Sequence, residues 1–185
     1  MNLRYEIATI DDLEILTATR IEVLRAANKL DPSTDMSLVE KESYSYYKQA
    51  LPERTHIAVL VYDDDNYNDD KCNNNKSNHS KCYNGKFVGA GGISFYKVMP
   101  TYHNPTGKKA YIMNMYTRPE YRRKGIAYHT LDLLISEAKK MGVTHILLEA
   151  TDMGKPLYEK YGFVKMKDEM ELFNSSFSHK TSYFK

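Results

Sequence analysis

The sequence predicts an α/β fold in which one mixed sheet is flanked by helices, within a single domain over residues 1–173 and a tail over 174–185. Three observations lead there. Several short stretches alternate apolar and polar residues, the segments between them carry helical periodicity, and 185 residues suit one domain with one sizeable core. Strands interrupted by helices must bury their apolar faces against each other as layers.

Leu3, Tyr5 and Ile7 alternate and predict a first strand. Thr9-Ile10-Asp11-Asp12 has the form of a capping box, and Leu13, Leu16, Ile21 and Leu24 follow near helical spacing. Beyond Asp31-Pro32 a second helix is expected over 36–51, ended by Pro52, and residues 56–62 read as a strand. Residues 63–85 are dominated by Asp, Asn, Lys and Ser; with little apolar surface to offset the entropy of ordering, they predict a disordered insert. A strand over 86–98, bent or bulged within Gly89-Ala90-Gly91-Gly92, is expected to form a hairpin with a strand over 109–117, across a connection containing Pro100 and Pro105.

After Pro119 the period changes. Ala127, Leu131, Leu134, Ile135, Ala138 and Met141 mark one face of a helix that stops at Gly142. A strand over 145–151 follows, then a short helix over 155–161 stopped by Gly162, then strands over 163–165 and 170–173.

Bulk properties exclude several classes. Lys plus Arg number 26 against 24 for Asp plus Glu, so the net charge of +2 supplies no global field for nucleic acid or an anionic membrane. Apolar runs such as 57–61 fall far short of the ~20 residues of a membrane span. Glu6, Asp11 and Asp12 come early where a signal peptide needs an apolar stretch, so a cytoplasmic protein is expected. Cys72 and Cys82 give no disulfide framework, and with His79 they match no compact ligand spacing, so no metal is expected.

The most informative segment is Tyr116-Thr117-Arg118-Pro119-Glu120-Tyr121-Arg122-Arg123-Lys124-Gly125-Ile126-Ala127, between a strand and an amphipathic helix. Amides at a helix N-terminus are unpaired and point outward, where the helix dipole favours an anion. Gly125 allows close approach to the main chain, and Arg122, Arg123 and Lys124 add charge.

Arg122-Arg123-Lys124-Gly125-Ile126-Ala127 resembles the Q/R-x-x-G-x-G/A motif of the GNAT (GCN5-related N-acetyltransferase) family, and Leu157-Tyr158-Glu159-Lys160-Tyr161-Gly162-Phe163 resembles its L-Y-E-K-x-G-F signature. The two stand in family order, and the resemblance covers nearly all of the chain outside 63–85 and the tail. It implies a mixed, mostly antiparallel central sheet flanked by helices. It also implies acetyl-CoA as cosubstrate, with the acetyl group passed to a primary amine of a small molecule or peptide by direct attack in a ternary complex.

The resemblance assigns sites residue by residue. Backbone groups of Met115, Tyr116 and Thr117 would bind pantetheine, and the amides of Arg123, Lys124, Gly125, Ile126, Ala127 and Tyr128, with Arg122 beside them, the pyrophosphate. Tyr158 matches the tyrosine that protonates the departing thiolate; a phenol with an ordinary pKa of ~10 is protonated at neutral pH and ready to donate. Many members carry Asn and Ala where this chain has Thr151 and Gly154, and Thr151 retains the capacity to bond CoA. Some relatives place a catalytic Glu where this chain has Tyr111. Glu149 is then the candidate base, although a paired rim carboxylate explains it equally, and Asn114 can orient a water in a relayed proton path. Arg20, Arg25, Tyr44, Tyr46 and Tyr47 fall in the helical region that borders the acceptor pocket in this family, where helix packing accounts for them as well.

Phe177, Tyr183 and Phe184 of the tail are expected to dock on the core, and a homodimer is common among similar proteins. Two other functions fit parts of the pattern. One is a CoA-binding sensor with little turnover. The other, a phosphate or nucleic-acid module on Arg118, Arg122, Arg123 and Lys124, is disfavoured by the near-neutral charge and by the lack of interleaved aromatics.

Overall fold

Five strands lie side by side in chain order: β1 (Leu3–Ile7), β2 (His56–Asp63), β3 (Lys86–Lys97), β4 (Lys108–Thr117) and β5 (His145–Leu148). All neighbours are antiparallel except β4 and β5, which run parallel, so the expected mixed, mostly antiparallel sheet is the one observed. The helices are α1 (Leu13–Asn28), α2 (Ser37–Ala50), α3 (Ile126–Lys140) and α4 (Lys155–Tyr161). This computed structural model describes residues 1–66, 85–167, 169 and 170.

Strand alternation sorts β2 onto two cores. Ile57, Val59 and Val61 pack with Leu131, Leu134, Ile135 and Ala138 of α3, while Ala58, Leu60 and Tyr62 pack with Leu13 and Leu16 of α1 and Tyr47 of α2. Every residue of β2 is buried, as a central strand covered on both faces requires. Burying each Leu or Ile of the α3 stripe stabilises the fold by roughly 1.5–3 kcal/mol, which is why this helix is fixed so firmly. The capping box is formed: the Thr9 N–H donates to Asp12 Oδ2 at 2.7 Å, and a 3-10 turn over Ile10–Asp12 leads into α1.

The glycine run does place an irregularity, but the extra residue lies on β4. Ala90 pairs with Tyr116 and Gly92 with Met113, so two steps of β3 face three of β4. Asn114 absorbs the bulge at φ 56°, a left-handed conformation that Asn tolerates better than most residues. Gly91, opposite, leaves room for α3: a Cβ there would lie 2.6 Å from Met115 Sδ and 2.7 Å from Thr130 Cγ2.

Three expected features are corrected. The last strand ends at Leu148 rather than at residue 151, because β5 pairs only with Lys109 to Ile112 and the bulged end of β4 offers it nothing further. Residues 163–165 form no strand: the Phe163 N–H donates to the Tyr158 carbonyl and closes the end of α4, while its ring packs edge-on to Tyr158. The polar insert was expected to start at residue 63, yet Asp63 completes β2, and Asp64–Asn66 form a 3-10 turn. Of the strand expected over 170–173, Met170 is not in a strand and the rest lies outside the described residues. Cys72, His79, Cys82 and the tail aromatics Phe177, Tyr183 and Phe184 also lie outside them. Among the described residues no helix is long and apolar enough to cross a membrane.

Candidate active site

β4 and β5 separate just beyond Ile112 and Leu148, their last paired residues. From Met113 to Thr117 the β5 side of β4 has no strand neighbour among the described residues, so its main-chain donors and acceptors on that side are available to a ligand that pairs like a strand. The predicted pantetheine segment, Met115, Tyr116 and Thr117, lies along this opening. Met115 points to α3, whereas Tyr116 turns to the other face, stacked on Phe87 at 6.3 Å between ring centres. Burial, reinforced by a hydrogen bond to Glu22 of α1, pushes the Tyr116 phenol above its ordinary pKa. Thr117 Oγ1 is buried without a partner among the described residues.

At the end of β4 the chain turns through a 3-10 turn, Pro119–Tyr121, into the predicted phosphate loop. Tyr121 fixes this turn, its buried hydroxyl donating to Asp63 Oδ2 at 3.0 Å. Arg123 at φ 63° and Gly125 at φ 82° are both left-handed, and for Arg123 that conformation carries a cost of order 1–3 kcal/mol. The consequence is an array of open donors. The six N–H groups of residues 123–128 donate no hydrogen bond among the described residues; the helical ladder starts with His129 N–H to the Gly125 carbonyl. Among the described residues nothing lies within 4 Å of where a Gly125 Cβ would stand, so none of them covers the loop there.

The three cations of the loop are not equivalent. Arg122 folds back, its Nε donating to the Thr117 carbonyl at 3.1 Å and so holding the end of β4. Lys124 Nζ sits 4.8 Å from the centre of the Tyr121 ring. Arg123 is exposed and makes no hydrogen bond or ion pair among the described residues, which leaves it free for an anion. Ile126 buries its side chain in the core, so only its amide faces the loop, and Ala127 is half-buried. Tyr128 lies on the Tyr161 ring of α4 at 5.2 Å.

Tyr158, 8 % exposed, belongs to the core below α3, and burial pushes its pKa up. A Cβ on Gly154 would meet its ring at 3.2 Å, which gives a local reason for glycine where the family often has alanine. Thr151 Oγ1 accepts the Gly154 N–H at 3.2 Å, so this threonine shapes the turn into α4. Glu149 is exposed just past β5, and its carboxylate bonds the Tyr111 hydroxyl, which burial and this bond together hold protonated well above the phenol range. The sequence singled out both residues but could not pair them, because their proximity comes from the parallel register of Tyr111 with Leu147. Asn114 Oδ1 is buried without a partner among the described residues, at the bulge beside the opening.

A family profile, the acetyltransferase (GNAT) family, matches residues 39–163. The chain belongs to the GNAT acetyltransferase family. A predicted acetyltransferase from Clostridium acetobutylicum, solved with acetyl-CoA, is 30 % identical and superposes with a TM-score of 0.75 over 97 % of this chain and 100 % of its own. A GCN5-related N-acetyltransferase from Ralstonia eutropha JMP134 shares 19 % identity at a TM-score of 0.71, over 93 % of this chain and 99 % of its own. The glucosamine-6-phosphate N-acetyltransferase of Arabidopsis thaliana shares the fold at 14 % identity and a TM-score of 0.58, over 94 % of this chain and 99 % of its own. No curated protein matches the sequence. The opening between β4 and β5 leads along β4 into the loop of open amides, and α4, which carries Tyr158, is hydrogen-bonded to α3 through Tyr161 and Asp132.

Proposed function

We propose that the protein moves the acetyl group of acetyl-CoA to a primary amine of a small molecule or peptide, by direct attack within a ternary complex. One observation carries this reading: the six open N–H groups of residues 123–128 at the positive end of a 15-residue helix. A diphosphate supplies the acceptors and the negative charge that such an end favours. The Clostridium relative solved with acetyl-CoA supports that choice of ligand.

The free edge of Met113 to Thr117 then pairs with the pantetheine amides, with Met115, Tyr116 and Thr117 contributing main-chain groups. The amine nitrogen bonds to the thioester carbonyl carbon and the C–S bond breaks. Tyr158 gives its proton to the sulfur and regains one from solvent; its raised pKa keeps the proton available at neutral pH. The nitrogen's proton passes through water to Glu149, which Tyr111 holds at the cleft rim. Asn114 Oδ1 is an acceptor for that water. No covalent enzyme intermediate is needed, and proximity within the cleft supplies much of the rate.

Calorimetric titration with acetyl-CoA, followed by thiol release over a panel of amines, tests the reading. Absence of binding removes it, and binding without thiol release leaves a CoA sensor.

A further inference from the structure

Beneath α1 and α2, three side chains form a hydrogen-bonded group that the chemistry above does not use. Ser94 Oγ lies 2.8 Å from His56 Nδ1 and 2.7 Å from the Tyr46 hydroxyl, and that hydroxyl is 3.2 Å from the same nitrogen. His56 is 1 % exposed, and its Nε2 has no partner among the described residues. That nitrogen abuts Gly92, where a Cβ would approach to 2.7 Å. Burial, with the charge of Arg20 in the same direction, lowers the His56 pKa to about 4 and keeps the ring neutral.

The single proton of a neutral imidazole decides how the group is polarised. On Nε2 it would bury an unpaired N–H, the costlier orphan; on Nδ1 it leaves only a lone pair unused. Nδ1 therefore donates to Ser94 Oγ; the Ser94 hydroxyl, 2.7 Å from the Tyr46 oxygen and 3.6 Å from Met113 Sδ, donates to the oxygen as the stronger acceptor, and the Tyr46 proton is directed outward. Because Tyr46 is 42 % exposed, this is a fixed donor at an accessible surface.

Arg20 lies on α1 one helical turn after Leu16, which packs in the same cluster as Tyr47 of α2. Arg20 is half-buried, its charge acts on both His56 and Tyr47, and the Tyr46 ring lies 5.5 and 5.7 Å from those two rings. Arg20 makes no hydrogen bond or ion pair among the described residues. Arg25 differs, since its guanidinium is committed to the carbonyls of Asp31 and Thr34 at 3.0 and 2.8 Å. A half-buried guanidinium without a counter-charge, together with a fixed O–H donor, is a donor set that suits an oxyanion.

We propose that the acceptor amine carries an oxyanion, a carboxylate or phosphate, which Arg20 and the Tyr46 hydroxyl hold while its nitrogen reaches the opening between β4 and β5. Ser94 links the two places, because it pairs across the sheet with Tyr111, the partner of Glu149. The inference rests on the acetyl-transfer reading.

The test begins with acetyl-CoA titrated alone, where failure removes that reading and the inference with it. Thiol release is then compared between amino acids and their methyl esters, and between aminoalkyl phosphates and the matching amino alcohols. The free acids or the phosphates should be preferred by about 10- to 100-fold in kcat/KM. Arg20→Ala should raise KM for the preferred series by a similar factor and abolish its advantage, with Arg20→Lys recovering part of it. Tyr46→Phe, a single-atom change that the fold should tolerate, should raise the same KM about tenfold with kcat little changed. Equal turnover of anionic and uncharged amines by the native protein overturns the inference while acetyl transfer stands. It is overturned as well if acetyl-CoA binds and no oxyanion-bearing amine reacts.

Discussion

The Tyr161 hydroxyl donates to Asp132 Oδ1 at 2.8 Å, which fastens α4 to α3. Its ring also leans on Tyr128 and Phe163. The helix that carries Tyr158 is thereby held to the helix whose first turn carries the open amides, so this contact ties the proposed proton donor to the proposed diphosphate site.

Tyr161→Phe removes that bond and keeps the ring contacts. Stability should fall by about 1 kcal/mol or less, since the bond is partly solvated. Turnover should fall more than this stability loss suggests, because small displacements of a catalytic group are costly. Thermal melts and steady-state kinetics check the pair of effects; unchanged kcat would uncouple the two helices.

Tyr158→Phe should lower kcat by a factor on the order of 10² or more while acetyl-CoA affinity stays within about twofold. The phenyl ring keeps its place in the core, so melting should be little altered. Equal turnover in this variant takes Tyr158 out of the mechanism.

Gly125→Glu sets a carboxylate over the loop and forces a left-handed φ of 82° on a residue with a side chain. Affinity for acetyl-CoA should drop by more than about tenfold, through repulsion and occlusion of the amides. Calorimetry reads this directly, and an unchanged affinity would falsify the placement of the diphosphate.

Most of the fold was legible because each core face left a periodic trace, such as Leu131, Leu134 and Ala138 along α3. The segment Arg122 to Ala127 stood out in the sequence for a different reason: a glycine before a helix and a basic run are local chemistry. The strand predicted over 163–165 failed because Phe163 serves the end of α4, a tertiary demand that overrides its β propensity. The bulge at Asn114 and the pairing of Tyr111 with Glu149 depend on register, which adjacent residues do not encode. Arg20 and Arg25 look alike in the sequence, and only the loop carbonyls that capture Arg25 separate them.

His56 should make stability depend on pH. Its folded pKa of about 4 lies below its ordinary 6.5, so between these values the unfolded chain binds a proton that the native state refuses. Stability from this group is complete above pH 6.5 and is lost as pH falls toward 4, at most by about 3 kcal/mol. Denaturant titrations of the native protein and His56→Gln across that range should show a flatter profile for the variant. Parallel profiles would mean that His56 is not held neutral.

Gly91→Ala tests the contact between the sheet and α3. Its Cβ would meet Met115 Sδ at 2.6 Å, Thr130 Cγ2 at 2.7 Å and Leu134 Cδ1 at 3.1 Å. The Met115 sulfur can swing aside, but Thr130 is fixed by its hydroxyl donating to the Ile126 carbonyl at 2.9 Å, and Leu134 is fully buried. Relief must therefore come from α3 shifting off the sheet, an overpacking cost of roughly 1–3 kcal/mol. Because α3 begins at the open amides, that shift should also weaken acetyl-CoA binding, although Gly91 lies on the strand behind them. A variant that melts lower yet binds acetyl-CoA as tightly as the native protein would show that the loop holds its geometry independently of the helix behind it.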